Sequence, residues 1–267
     1  MTASRATRDV PEHFPHEEDP LSAHGNELYL DIMKKVLTNV IYEDAPIRVY
    51  DYEGAGANPR LDGRDWPSIA HTMVGMARLD NLQHCIGQVL EDGVSGDFIE
   101  TGVWRGGACI FMRAILRAHG VADRTVWVAD SFAGMPAATG HAADAALKLH
   151  EHNDVLAVSL DTVRRNFERY DLLDDQVHFL PGWFKDTLPT APVEKLAVIR
   201  LDGDLYGSTM DALVHLYPKL SPGGFVIVDD YCIPHCRQAV DDFRSEHSIT
   251  DEVVPIDASA AYWRHTG

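Results

Sequence analysis

The stretch DFIETGVWRGGACIFMRA, residues 97–114, joins a short apolar segment, a glycine-rich turn and the start of an amphipathic helix. Residues 97–101 have the length and composition of a buried strand, and helical periodicity over 106–119 follows the turn directly. Glycines at such a turn let the backbone approach a ligand closely and aim the N-terminus of the next helix at it. The stretch therefore predicts the first strand–turn–helix unit of an α/β sheet, with a ligand site at the turn.

The same alternation of strand and helix continues to the end of the chain. Further strands are predicted at 125–130, 176–182, 195–202 and 223–230, and further helices at 160–170, 208–220 and 234–247. Continuous apolar strands separated by amphipathic helices predict a mostly parallel sheet covered on both faces. Two final runs, 251–256 and 261–265, predict an antiparallel edge hairpin. The predicted fold is α/β, a doubly wound, mostly parallel seven-stranded sheet.

The pattern before the sheet predicts a division of the chain into three segments. These are a mobile arm at 1–25, a region of N-terminal helices with a lid loop at 26–95, and the sheet-containing core at 96–267. The arm is rich in proline, acids and histidine, with too few large apolar residues to favour order. Helical periodicity appears at 27–41 and again at 66–90. Between them, 45–65 is aperiodic and glycine-rich, which indicates a loop that covers a functional site.

Composition excludes several classes of protein and of partner. Hydrophobic residues make up 45% and charged residues 24%, which argues against general disorder and against a coiled coil. Acidic residues outnumber basic ones 41 to 23, giving a formal net charge of −18. Such a charge repels phosphate backbones and anionic lipids, so we expect no nucleic-acid and no membrane partner. The chain has four cysteines, no apolar run of about 18 residues and no signal-peptide pattern, so we expect a cytoplasmic protein with reduced thiols.

Acidic residues stand at the carboxyl ends of four of the predicted strands: Glu100, Asp130, Asp202 with Asp204, and Asp229 with Asp230. Parallel sheets of this kind bind ligands at that edge. The turn after the first strand reads G-x3-G-G, which is neither the dinucleotide-binding G-x-G-x-x-G pattern nor a P-loop. An acid that closes the second strand suits the ribose hydroxyls of an adenosine. A ribose acid without a phosphate-binding loop fits S-adenosylmethionine, whose cationic sulfonium favours an acidic surround.

Asp202, Asp229 and Asp230 follow two strands that we expect to be neighbours. Ionised together they would repel one another, and no lysine or arginine stands immediately beside them, Arg200 being two residues away. Such a cluster either raises a pKa or requires a cation. All-oxygen ligands favour Mg²⁺, with Mn²⁺ or Ca²⁺ as alternatives. The alternative interpretation is that Asp229 and Asp230 only cap the following turn.

With these residues in view, the chain resembles the macrocin O-methyltransferase family. The resembling segments are AHTMVGMARLDNLQ (70–83), DFIETGVWRGGACIFMRA (97–114), VWVADSFAGMP (126–136), LPGWFKDTLPTAP (180–192), LDGDLYGSTMDAL (201–213) and LSPGGFVIVDDYC (220–232). The resemblance implies a class I methyltransferase-like fold. It also implies an enzyme, dependent on S-adenosylmethionine and Mg²⁺, that methylates a deoxysugar hydroxyl in antibiotic biosynthesis.

The resemblance also implies roles for individual residues. It assigns the methionine part of the cofactor to Glu100, Gly102, Trp104 and Gly106, the ribose to Asp130 and Ser131, the adenine to Gly182, Trp183 and Phe184, and the sulfonium side to Thr72 and Met73. Thr101 and Arg105 are also assigned to cofactor binding. Asp202 would border the cofactor and, with Asp229 and Asp230, bind Mg²⁺. Asp204 would be the general base, since residues two apart in an extended strand end point to the same side. His71 is a second candidate for the base or for substrate binding.

Two alternatives to sugar methylation stay open at this point. Catechol and phenol O-methyltransferases of this fold carry a lysine base three residues after the first metal acid, where this chain has Leu205. A non-catalytic cofactor-binding protein is disfavoured because the metal acids are all present.

A zinc site at Cys232, His235 and Cys236 lacks a fourth ligand. We expect a small-molecule sugar acceptor, either a nucleotide sugar or a glycosylated natural product, and a homo-oligomer, a dimer.

Overall fold

The computed structural model describes residues 20–50, 56–137, 140–142 and 144–267. The helices within these residues are α1 (Pro20–Leu37), α2 (Pro59–Asp62), α3 (Met76–Glu91), α4 (Gly107–Ala118), α5 (Asp144–Leu147), α6 (Asn153–Leu156), α7 (Leu160–Arg169), α8 (Phe184–Thr187), α9 (Tyr206–Leu216) and α10 (Pro234–Glu246). The strands are β1 (Pro46–Val49), β2 (Asp65–Pro67), β3 (Asp97–Thr101), β4 (Val126–Asp130), β5 (Val177–Pro181), β6 (Leu196–Leu201), β7 (Leu220–Val228), β8 (Val254–Pro255) and β9 (Ala261–Arg264).

Seven strands form one mixed sheet in the order β5-β4-β3-β6-β7-β9-β8. The first five are parallel, and β9 pairs antiparallel with both β7 and β8. The predicted seven-stranded sheet with its antiparallel edge is therefore confirmed. The chain leaves β3 toward β4 and later returns to its other side with β6, so a ligand-binding crevice is expected at their carboxyl ends.

The core has two layers because successive residues of a strand point to opposite faces of the sheet. Phe98 and Ile99 are adjacent in β3 and both fully buried, yet they belong to different hydrophobic clusters. Phe98 packs with residues of α1, α3, α4 and α7, whereas Ile99 packs with residues of α9 and α10. This double burial explains why the strands are continuously apolar.

The N-terminal region differs from its prediction. The helix predicted at 66–90 begins only at Met76, because residues 65–67 form β2 and Gly75 lies against the preceding turn. A Cβ on Gly75 would approach the Asp62 carbonyl carbon to 2.6 Å. The helix predicted at 27–41 ends at Leu37, and Asn39 has a left-handed φ of 53°.

Two further segments before the sheet were predicted to be loop or arm. The segment 45–65 is not one loop, since it contains β1 and α2 and its last residue begins β2. Its residues 51–55 lie outside the described part. The predicted arm also lies outside it up to residue 19, whereas residues 20–25 belong to α1.

Candidate active site

A cavity of about 560 Å³ opens at the carboxyl ends of the central strands. Six residues predicted to contact the cofactor line it: Gly102, Asp130, Ser131, Trp183, Phe184 and Asp202. Its volume suits a ligand larger than a single sugar ring. The cavity lies at the edge of the sheet where parallel α/β folds bind their ligands.

The turn after β3 brings backbone to the edge of this cavity. Gly102 has φ 89°, and a Cβ there would lie 1.8 Å from the carbonyl oxygen of Asp202, so only glycine fits between the two strand ends. The peptide N–H groups of Val103 and Phe132 each donate to Asp130, at 2.7 Å. Burial raises the pKa of Asp130 above its ordinary value, and these hydrogen bonds limit the rise. The carboxylate is thus fixed in orientation at the cavity wall.

The other residues predicted to bind the cofactor do not line the cavity. Glu100 and Thr101 are buried in β3, where one Glu100 oxygen pairs with Arg200 and the other accepts from the Cys109 thiol at 2.8 Å. The pKa of Glu100 is raised by burial, with Arg200 opposing the rise.

The turn residues after Gly102 support the fold around the cavity instead. Trp104 donates through Nε1 to the Val155 carbonyl at 3.0 Å. The Arg105 guanidinium stacks on the Trp104 ring and donates to the carbonyls of Pro67, Ser68 and Ala70. Gly106 packs against Val163. These contacts tie the glycine turn to the segments on either side of it.

The three remaining positions are also placed off the cavity. The Thr72 hydroxyl accepts from the Val74 peptide N–H at 3.0 Å, and Met73 beside it is half-buried. Gly182 has φ 135° and donates to the Asp130 carbonyl at 2.8 Å, which presents Trp183 to the cavity.

Sequence reasoning missed part of the cavity wall, namely Gly134, Met135, Pro136, Ala137, Gly140, Lys185, Gly203, Ser208 and Asp211. Asn153 fixes this wall, because its amide accepts from the Met135 N–H at 2.7 Å and donates to the Met135 carbonyl at 2.9 Å. The segment SFAGMP was part of the resemblance, but none of its residues beyond Ser131 was assigned a role. Asn153 lies in an aperiodic stretch that gave no signal.

Carboxylates converge beside this cavity, as predicted. Ligand oxygens of Asp202, Asp229 and Asp230 all lie within 4.8 Å of one another. The backbone N–H of Asp204 donates to Asp230 at 3.1 Å, so Asp204 joins the group, and we name these four residues the acid cluster. Asp204 does not lie in an extended strand end, however, so that prediction was wrong. Strand β6 ends at Leu201, and Asp204 has a left-handed φ of 56°.

Two arginines contact the acid cluster: Arg200, noted in the sequence two residues before Asp202, and Arg78, which the sequence analysis did not identify. Arg200 donates to Asp202 at 2.6 Å and pairs with Asp229, while Arg78, from α3, donates to the other Asp229 oxygen at 2.5 Å. Burial opposes ionisation of Asp229, but the two arginines outweigh it and lower its pKa.

The other three members of the acid cluster are under-neutralised. Burial and the nearby acids raise the pKa of Asp202 and Asp230 well above the ordinary range. Burial, and then Asp229, raise the pKa of Asp204 to about 6. Carboxylates that are at most partly exposed, that exceed their arginine partners in number and whose oxygens lie this close together fit a hard divalent cation.

His71 precedes α3 and packs against the start of α4, and it is not among the residues that line the cavity. A Cβ on Gly107 would touch the His71 carbonyl, and the ring Nδ1 lies 2.7 Å from the Tyr170 hydroxyl. Burial, with Arg169 and Arg105, lowers the pKa of His71 to about 4. The ring is therefore neutral near pH 7, and its Nδ1 is engaged in a hydrogen bond with Tyr170.

A sheet of this order, with a glycine turn after its central strand β3 and a fixed carboxylate after the adjacent β4, defines the class I methyltransferases. The profile of the macrocin O-methyltransferase (TylF) family matches residues 46–265. The chain belongs to this family, and it is a sugar O-methyltransferase.

Relatives of known activity cover nearly the whole chain. It is 65% identical, over 92% of its length and 95% of the relative's, to the 8-demethyl-8-(2,3-dimethoxy-alpha-L-rhamnosyl)-tetracenomycin-C 4'-O-methyltransferase of Streptomyces olivaceus. It is 59% identical, over 91% of its length and 98% of the relative's, to the mycinamicin III 3''-O-methyltransferase of Micromonospora griseorubida. The solved structure of the O-methyltransferase NovP is 57% identical, with a TM-score of 0.85 over 91% of this chain and 100% of that one. Within the described residues, the helices are too short or too polar to cross a membrane.

Proposed function

We propose that the protein transfers the methyl group of S-adenosylmethionine, with Mg²⁺, to a deoxysugar hydroxyl of a glycosylated natural product in antibiotic biosynthesis. The observation that carries this proposal is the position of Asp202, which belongs both to the cavity wall and to the acid cluster. A donor in the cavity and an acceptor at the acid cluster would therefore meet at one residue. The tetracenomycin and mycinamicin relatives, whose names describe glycosylated products, support this class of acceptor.

The cofactor would lie in the cavity with its ribose at Asp130, whose carboxylate is already oriented by two backbone N–H groups. Trp183 and Phe184 supply apolar surface for the adenine, and the backbone at Gly102 leaves room for the methionine part. Glu100 would act through Arg200 rather than by direct contact with the cofactor, because its side chain is buried in β3 and does not line the cavity.

Asp202, Asp229 and Asp230 would hold Mg²⁺. When bound, the ion supplies Lewis-acid polarisation of the acceptor oxygens and helps to orient the sugar. Asp204 would accept the hydroxyl proton as the sugar oxygen forms its bond to the methyl carbon and the carbon–sulfur bond breaks. The products are the methyl ether, protonated Asp204 and S-adenosylhomocysteine. Most of the acceleration comes from positioning and electrostatics, because the sulfonium is already an activated donor.

The activity is tested by incubating the protein with S-adenosylmethionine, Mg²⁺ and a panel of desmethyl glycosides, nucleotide sugars and catechols. We expect a glycoside to gain one methyl group by mass spectrometry. Methylation of a catechol alone would overturn the sugar assignment. Methylation of a nucleotide sugar alone would overturn the proposal that the sugar is already attached to its aglycone.

Asp130→Ala is expected to weaken the binding of S-adenosylhomocysteine by about 10-fold or more, because a hydrogen bond to a charged group contributes about 1.5–3 kcal/mol. Calorimetric titration of the folded variant measures the loss. Mg²⁺ affinity should stay within a few-fold of wild type, and Asp230→Ala is the matched control that should show the reverse pattern. Unchanged cofactor affinity in Asp130→Ala would remove this residue from the site.

We also propose that the protein is a homodimer, paired through the exposed face of α1. Leu28, Ile32 and Val36 form one stripe along the helix and are 54%, 53% and 38% exposed, although the opposite face of α1 is buried in the core. Exposed apolar stripes of this kind commonly mark interfaces.

A second copy is the occupant that suits this stripe. An antiparallel pairing about Ile32 would place Leu28 of each copy against Val36 of the other, so the stripe is complementary to itself. Residues 1–19 contain only Val10 and Phe14 as large apolar residues after Met1, too few to cover it.

Ile32→Glu is expected to convert the dimer to a monomer, as measured by light scattering coupled to size exclusion. Val214→Glu is the matched control, because Val214 is a comparably exposed apolar residue, 45% accessible, on the distant helix α9. A wild-type monomer, or an Ile32→Glu dimer, would contradict the proposed interface.

A further inference from the structure

Arg78 is a buried arginine whose guanidinium contacts three separate parts of the chain. Its Nη1 donates to Asp229 of the acid cluster at 2.5 Å. Its Nε lies 3.0 Å from a carboxylate oxygen of Asp257, in the loop after β8. Its Nη2 donates at 2.8 Å to the carbonyl oxygen of Gly63. The side chain is 5% exposed, so these contacts are made away from solvent.

Gly63 ends the short helix α2, within a segment that we name the 56–65 turn. Asn58 caps this helix by accepting from two backbone N–H groups, and Gly63 is left-handed with φ 65°. A Cβ on Gly63 would lie 2.1 Å from Arg78 Nη2, so the turn closes directly onto the guanidinium. The turn is also bonded to the preceding strand segment, because Arg64 donates to the Tyr50 carbonyl at 2.8 Å.

One rigid group therefore fixes both an oxygen of the acid cluster and the backbone of the 56–65 turn. Asp229 has one oxygen on Arg200 and the other on Arg78, so its orientation depends on both arginines. The guanidinium is planar and its donors have fixed directions. A guanidinium held in place at Asp229 therefore presents its Nη2 to Gly63 in a fixed position, and the reverse also holds.

We propose that Arg78 is a positioning residue that couples the order of the 56–65 turn to cation binding at the acid cluster. This inference rests on the proposed Mg²⁺ site. Coupling between two sites is reciprocal. Mg²⁺ should therefore order the turn, and a disordered turn should weaken the binding of Mg²⁺.

Two measurements on the full chain test the coupling without any turnover. Calorimetry with MgCl₂ gives the cation affinity, and amide hydrogen exchange over 56–65, with and without Mg²⁺, gives the order of the turn. In the wild type we expect Mg²⁺ to slow exchange there. In Arg78→Met we expect the affinity to fall at least about 10-fold and the Mg²⁺-dependent protection to disappear, since the lost hydrogen bonds involve a charged donor.

Arg113→Met is the matched control. Arg113 is equally buried, 6% exposed, and pairs with Asp174 at 2.5 Å, outside the site. It should lose stability while keeping cation affinity and protection. Arg78→Lys keeps the charge near Asp229 but cannot also reach Gly63. It should lose the Mg²⁺-dependent protection and have an Mg²⁺ affinity between those of the wild type and Arg78→Met, because the coupling is lost while a positive charge stays beside Asp229.

The outcomes distinguish failure of the proposed Mg²⁺ site from failure of the proposed role of Arg78. Wild-type protein that binds no Mg²⁺ would overturn the proposed metal site and the coupling with it. Wild-type protein that binds Mg²⁺, with equal affinity and equal protection in Arg78→Met, would overturn the role of Arg78 alone. If Arg78→Met does not fold, Arg78→Lys decides the question, because unchanged protection in that variant contradicts the coupling.

Discussion

Replacing Asp204 with asparagine is expected to lower kcat by about 10²- to 10⁴-fold, while the binding of cofactor and Mg²⁺ stays close to wild type. The amide preserves the shape of the side chain but cannot take the hydroxyl proton. The hydrogen bond from residue 204 to Asp230 comes from the backbone, so the substitution leaves it in place. The loss should therefore be in the chemical step rather than in assembly of the site.

Single-turnover rates at saturating donor and acceptor measure this loss. Asp242→Asn removes one negative charge from α10, where the carboxylate accepts from the Tyr206 hydroxyl, and serves as the control for net charge. An Asp204→Asn variant that retains more than about a tenth of the rate would mean that Asp204 only binds the acceptor, since loss of a general base typically costs at least about 10²-fold. His71, neutral near pH 7, would then be the next residue to replace.

Chelation of divalent cations is expected to reduce turnover by about 10²-fold or more, because a Lewis acid of this kind stabilises the transition state by several kcal/mol. Alanine at Asp202, Asp229 or Asp230 should have a similar effect. Replacement of Asp229 should also perturb folding, since it would leave Arg78 and Arg200 without their shared partner.

Asp230→Asn makes the sharper test of the metal site. In the absence of Mg²⁺, burial and the neighbouring acids disfavour an ionised Asp230, so the amide should melt no lower than wild type. The Mg²⁺-dependent rise in melting temperature, in contrast, should be lost. EDTA measurements followed by readdition of Mg²⁺ complete the test. Full activity in chelator would mean that these acids serve only as caps of the turn.

The sheet could be predicted because its strands are buried on both sides. Residues such as Phe98 and Ile99 fill opposite layers of the core, which leaves a continuous apolar run in the sequence. The N-terminal region lacks such a constraint. Ile69 and Met73 extend the helical periodicity of α3 backward, but Ile69 is 67% exposed and the helix starts after Gly75. Tertiary packing of Gly75, which periodicity does not encode, decides that boundary.

The convergence of the acids could also be predicted, because parallel strands end at the same edge of a sheet. Their neutralisation could not. Arg78 precedes Asp229 by 151 positions, and only the packing of α3 brings them together. Glu100 illustrates the opposite error. It stands at a strand end, as a ligand-binding acid would, but its side chain turns into the core toward Arg200 and Cys109.

Two glycines in the cavity wall limit how the enzyme can be engineered to accept other methyl-donor analogues. Gly102 and Gly134 have no side chain to shorten, and neither position has room for one. A Cβ on Gly102 would lie 1.8 Å from the Asp202 carbonyl oxygen, and a Cβ on Gly134 would lie 2.3 Å from the Asn153 side chain. Synthetic donors that carry a larger nucleobase therefore need space made in the side chains of this wall rather than at the glycines. Met135, Trp183 and Phe184 are side chains of the same wall that can be trimmed. A library for such donors should vary those three positions and keep the glycines fixed.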